Sequence, residues 1–89
     1  MNTIKFYGSL KNKIGNDVIE LKLGNLTIHE IKDKLQKDFN LDDFNINNFL
    51  IAINGVEISA LEGINSKIQE GDEISIITLV HGGNRKICG

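Results

Sequence analysis

The chain has 89 residues, 40 % apolar and 25 % charged, with ten basic against twelve acidic side chains and a net charge of −2. That supports one small globular domain with no room for a separate catalytic unit, and its mild acidity removes the usual electrostatic basis for nucleic-acid binding. A single cysteine, Cys88, excludes an internal disulfide, a cysteine-rich metal site and a four-thiolate iron–sulfur cluster.

From the N-terminus, Thr3 to Tyr7 alternates Ile4 and Phe6 with Thr3, Lys5 and Tyr7. Its β-branched and aromatic content predicts a strand with Ile4 and Phe6 facing a core. Gly8, Ser9, Asn12, Gly15 and Asn16 predict a connection anchored by Leu10 and Ile14. Val18 to Leu23 alternates again, with Ile19, Leu21 and Leu23 on one face. Two strands joined so closely predict an antiparallel hairpin. After Gly24 and Asn25 the period lengthens. Ile28, Ile31, Leu35 and Phe39 recur at helical spacing, and Thr27 with Glu30 three residues on forms a capping box. The predicted helix covers 28–39, with Glu30–Lys34 and Asp33–Lys37 as charge pairs on a solvated outer face. Asn40 suits its exit, because asparagine tolerates the left-handed conformation found there. His29, beside the helix cap, reads as an exposed side chain.

Residues 42–48 read as a polar loop in which Phe44 and Ile46 pack back on the helix end, and Asp42-Asp43 lacks the spaced oxygen ligands of a calcium loop. Phe49 to Ile53 is apolar on both sides and predicts a strand covered on both faces. Asn54-Gly55 is a strong hairpin signal, with Val56 to Ile58 as the short return strand. Ala60 to Lys67 is irregular, with room for one helical turn, and Gln69 to Asp72 reads as a tight turn with Gly71 at positive φ. The last strand runs from Glu73 to Val80. In this order a single helix must cover one face of one mixed sheet, and a right-handed helical crossover brings a later strand parallel to the first. The predicted fold is therefore α+β, a ubiquitin-like β-grasp: a mixed sheet of about five strands with one main helix packed on one face.

The last strand leads straight into His81-Gly82-Gly83. Glycine has no Cβ, so a diglycine can thread a passage too narrow for other residues, and what it presents there is backbone and a carboxylate. Ile68-Gln-Glu-Gly-Asp-Glu-Ile-Ser-Ile-Ile-Thr-Leu-Val-His-Gly-Gly83 resembles the C-terminal segment of the ubiquitin-like sulfur carriers. Among these are the small subunit of molybdopterin synthase, the thiamine sulfur carrier and the ubiquitin-related modifier of transfer-RNA thiolation, whose end also reads His-Gly-Gly. The resemblance spans residues 1–83. It implies that an activating enzyme, using its own ATP and Mg²⁺, adenylates the carboxylate of Gly83, with Gly82 clearing the channel. The activated end is then converted to a thiocarboxylate for sulfur transfer or passed to a protein lysine. No cofactor is bound by the carrier itself, and it is no enzyme.

Asn84-Arg-Lys-Ile-Cys-Gly89 departs from that pattern. The resemblance implies a precursor in which a JAB/MPN-type zinc protease cuts the Gly83–Asn84 bond, dividing the chain into a domain at 1–83 and a removed extension at 84–89. The rival is that Gly89 is the working end. Cys88 reads as incidental to a leaving segment, against a persulfide-carrier role. If Ile74 and Ile76 are core, alternation puts Ile77 and Leu79, with Ser75, on the open face of the sheet, where they form a docking surface for the activating enzyme or acceptor. His81 either positions that partner or is merely solvent-tolerant.

Further partners expected are a conjugating enzyme or a sulfur-acceptor enzyme. Alternatives to a covalent carrier are a non-covalent β-grasp binding module and a subunit of a molybdopterin-synthase-like complex. No apolar run approaches the roughly 20 residues that cross a bilayer, and no signal peptide is evident, so a cytoplasmic protein, monomeric when free, is expected.

Overall fold

The computed structural model describes residues 1–41 and 48–78. Expectations placed on 42–47 and 79–89, among them the packing of Phe44 and Ile46, the end of the last strand and the diglycine, lie outside the described residues. Along the chain run β1 (Asn2–Tyr7), α1 (Ser9–Ile14), β2 (Val18–Leu21), α2 (Ile28–Asp38), β3 (Phe49–Ile53), β4 (Val56–Glu57) and β5 (Glu73–Thr78). The strands form one mixed sheet in the order β2-β1-β5-β3-β4. The β1–β2 hairpin is antiparallel, β5 lies parallel to β1, and β3 pairs antiparallel with β5. This is the β-grasp arrangement, with α2 as its main helix.

Register assigns the faces. Ile4 stands opposite Ile19 and Ile74, Phe6 opposite Ile76, and Ile51 and Ile53 opposite Ile76 and Ile74. With Ile28, Ile31 and Leu35 of α2 these side chains make one core, in which Ile4, Leu23, Leu35, Ile68 and Ile74 have no exposed surface. Apolar area removed from water at about 25 cal/mol per Å² is what holds so small a domain together.

The helix start is the capping box read from sequence. Thr27 Oγ1 accepts from the Glu30 amide at 3.2 Å, and the Glu30 carboxylate accepts from the Thr27 amide at 2.9 Å. The bond from the Thr27 amide, and then one from the Thr27 hydroxyl at 3.2 Å, hold the Glu30 carboxyl below its ordinary range. The predicted charge pairs rearrange accordingly. Glu30 is engaged by Thr27, Lys34 pairs with Asp38 at 3.2 Å, and Asp33 pairs with Lys32 and His29. The helix exits at Asn40 with φ of 54°, and the hairpin turn has Asn54 at 52° and Gly55 at 84°.

Three local readings are corrected. The connection between the first two strands is helical: α1 buries Leu10 and Ile14, one turn apart, and ends on left-handed Gly15, whose amide bonds Lys11 O at 3.0 Å. β2 stops at Leu21, and Leu23 is buried beyond it. The segment after β4 holds two 3₁₀ turns, Ile58–Ala60 and Gly63–Asn65. Its end, 66–68, lies along 25–28 and satisfies its backbone there, with Ile28 N to Ser66 O at 3.0 Å and Ile68 N to Leu26 O at 2.9 Å.

The Gly71-Asp72-Glu73 turn is scaffolding. Gly71 has φ of +85°. The Asp72 carboxylate accepts from Gln69 N and from Asn54 Nδ2, each at 2.8 Å, while Asn54 Oδ1 accepts from Glu73 N at 2.9 Å. The β3–β4 turn is thereby tied to the start of β5, fixing where that strand begins.

Candidate functional site

A strand in a sheet with one helical cover has an open face. On it, β5 presents Glu73, Ser75 and Ile77, because Ile74 and Ile76 point into the core. Tyr7 of β1 and Leu50 of β3 stand directly opposite Ile77 on its two sides. They form an apolar row across three strands at the C-terminal end of β5. Tyr7 is 45 % exposed and Ile77 36 %, and with Leu50 they lie contiguous on the open face rather than scattered. Below the row, Lys5 Nζ reaches Glu73 Oε2 at 3.2 Å on the same face. That hydrogen bond, and then the Glu73 charge, raise the Lys5 pKa above its ordinary value. An apolar centre bordered by a compensated charge pair is the usual composition of a protein-docking patch.

Ile77 is thus where alternation placed it. Leu79, His81, Gly82, Gly83 and Asn84 lie outside the described residues, so the row is seen up to the strand end that leads to them. Tyr7 and Leu50 were missed by sequence reading. Tyr7 was visible as the outward member of its alternation, but its position beside Ile77 depends on the β1–β5 register, which no local pattern encodes.

Thr78, the last described residue of β5, is held through its side chain. Thr78 Oγ1 donates to Tyr7 O at 3.2 Å and accepts from Leu10 N at 3.4 Å. Gly8, at φ of +77°, lies against it: a Cβ at Gly8 would come within 2.9 Å of Thr78 Cβ. Beside this junction a shallow cleft of about 310 Å³ runs past Lys5, Tyr7, Gly8, Lys11 and Asp17. Among the described residues no three His, Cys, Asp or Glu side chains stand together to hold a metal, and no helix is long and apolar enough to cross a membrane.

Comparison with protein families matches residues 4–83 to the ThiS family. The solution structure of small archaeal modifier protein 1 from Methanosarcina acetivorans superposes with a TM-score of 0.74 at 23 % identity, covering 92 % of this chain and 95 % of that one. Urm1 from Trypanosoma brucei gives 0.74 at 14 % identity, with 92 % and 94 % covered. The BexX/CysO complex from Amycolatopsis orientalis gives 0.72 at 20 % identity, with 93 % and 100 % covered. No curated protein sequence matches. At these identities the solved structures establish the fold, and the family match carries the kinship.

Proposed function

We propose, for a chain that belongs to the ThiS family of ubiquitin-like sulfur carriers, that Gly83 is the residue that carries the chemistry and that 84–89 is removed before it acts. The observation that supports this most is the extent of the family match, which ends on Gly83, the second glycine of the pair, and leaves Asn84 to Gly89 unmatched. Scission of the Gly83–Asn84 bond, by a zinc protease of the JAB/MPN type, frees a carboxylate. A carboxylate is a poor acyl donor at neutral pH. Its oxygen attacks the α-phosphorus of Mg-ATP on an activating enzyme, pyrophosphate leaves, and an acyl-adenylate forms. Hydrosulfide then adds to the carbonyl and expels AMP, leaving a thiocarboxylate for a sulfur-acceptor enzyme. A lysine amine in place of sulfur gives an isopeptide bond. The carrier supplies the acyl end and its presentation, and the enzymes supply the catalysis.

Intact-mass measurement on protein isolated from its own cells tests this. A pool ending at Gly83, part of it carrying sulfur in place of one oxygen, is the expected result. Retention of 84–89 in every pool overturns the proposal.

The apolar row is the proposed docking surface, and the CysO solved together with BexX supports docking of such a carrier on a partner. Ile77→Asp puts a charge at the centre of the row. It is expected to raise KM for the carrier about 10- to 100-fold in ATP–pyrophosphate exchange, the cost of burying an unpaired charge at an interface, with kcat retained. An unchanged KM would remove the row from the interface.

A further inference from the structure

The β1–β5 ladder ends at the pair Tyr7–Ile77, because β1 stops there and the chain turns through Gly8 into α1. Thr78 therefore has no β1 residue opposite it, only Phe49 of β3 on its other side. Its hydroxyl bridges β1 and α1, donating to Tyr7 O at 3.2 Å and accepting from Leu10 N at 3.4 Å. Gly8 makes the approach possible in two ways. Its φ of +77° and ψ of −152° turn the backbone away from β1 in a region open to glycine, and the missing Cβ leaves room that Thr78 Cβ occupies.

We infer that Thr78 is a positioning residue for the acyl end: its clasp on Gly8 and Tyr7 fixes the point from which residues 79–83 start towards the activating enzyme. This rests on the reading of Gly83 as the activated residue. Between Thr78 and Gly83 lie four residues, so the departure point set at Thr78 bounds where the carboxylate can reach. The apolar row makes contact with the partner, whereas the clasp aims the tail, and the two roles separate in kinetics.

The experiment uses chains ending at Gly83, the adenylating enzyme of the same cell, ATP and labelled pyrophosphate, with the carrier concentration varied. Thr78→Val keeps the β-branched shape and removes the hydroxyl. It is expected to lower kcat for exchange about tenfold, the scale on which misplacing a reacting group costs rate, with KM within about twofold of the unsubstituted chain. Thr78→Ser restores the hydroxyl and is expected to restore kcat. A thermal melt establishes that the valine chain is folded, and Thr78→Ala, which makes no demand on packing, must give the same split. Unchanged kcat in the valine and alanine chains overturns the inference, as does a rise in KM alone or a failure of serine to rescue. Absence of exchange by the unsubstituted chain is a different result: it removes the reading of Gly83, and the inference with it.

Discussion

Asn2→Ala is expected to lower the free energy of unfolding by about 1–3 kcal/mol, the cost of leaving the buried Leu23 amide without its partner, with a smaller loss at the part-buried Asp72 carbonyl. Asn2 is 1 % exposed at the first position of β1. Its amide nitrogen donates to Gln69 O at 2.8 Å and Asp72 O at 3.1 Å, and its oxygen accepts from Leu23 N at 3.1 Å. One side chain so joins the start of β1, the segment beyond β2 and the turn that launches β5. Gln69 O keeps a second donor, the Asp72 amide at 3.0 Å. The cost therefore falls chiefly on Leu23 N, since Leu23 has no exposed surface through which water could replace the bond. Against a total of about 5–15 kcal/mol for a domain, the loss is large. It should appear as a lower urea midpoint at an unchanged slope, and a midpoint within error of the parent's would show that the three bonds carry little net stability.

Asn2→Asp sharpens the argument. A carboxylate can still accept from Leu23 N, but it faces two carbonyl oxygens that the amide group had served as donor. The folded state raises the pKa of the introduced carboxyl above its unfolded value, because burial and the two oxygens disfavour the charge. A group raised on folding contributes stability below the unfolded pKa and loses it as pH climbs through the folded one. The Asn2→Asp chain should thus be most stable in acid relative to the Asn2→Ala chain and fall behind it towards neutrality. The opposite trend would mean the carboxylate finds a cation on folding.

What the sequence disclosed followed from local periodicity. Alternation in 3–7 and 73–78, the 3.6-residue repeat in 28–39, the Thr27–Glu30 box, Asn54-Gly55 and Gly71 each encode a conformation within a few residues, and each is present. The helix α1 was hidden because its signals are poor: Gly8 caps it without a side-chain bond, and just two of its six residues are apolar and buried. Its stability comes from burying Leu10 and Ile14, which is a tertiary matter. Asn2 was unreadable for a related reason, since a polar residue next to the N-terminus looks solvated until segments about 20 and 70 residues away are brought to it. The apolar row shows the same limit. Ile77 could be assigned to the open face by counting, but Tyr7 and Leu50 join it through registers between strands far apart in sequence.

The resemblance rested on Gly71-Asp-Glu and on the diglycine, and these two motifs now separate in meaning. Asp72 and Asn54 lock the beginning of β5, and Thr78, its last described residue, is tied to Tyr7 and Leu10. Bonds to β1, α1 and the β3–β4 turn thus fix β5 from its start to Thr78.

The largest functional effect is expected at the acyl end. A chain ending at Gly83 should support ATP–pyrophosphate exchange with its adenylating enzyme, while the chain ending at Gly89 should fall at least about 100-fold below it, because a carboxylate displaced by more than an ångström from the α-phosphorus loses that much rate. Gly89 does carry a carboxylate, but Arg85, Lys86, Ile87 and Cys88 precede it. Each of those side chains must enter the passage that a diglycine clears. Gly82→Val in the chain ending at Gly83 isolates this steric requirement, since it leaves the terminal carboxylate intact and adds a β-branched side chain one residue before it. A loss of about 100-fold is expected there too, chiefly in kcat, again because the carboxylate cannot reach the reacting phosphorus. Equal exchange from the chains ending at Gly83 and Gly89 would make residue 89 a competent end and processing unnecessary. Full activity of the valine chain would show that the passage admits a side chain, and the diglycine would need another explanation.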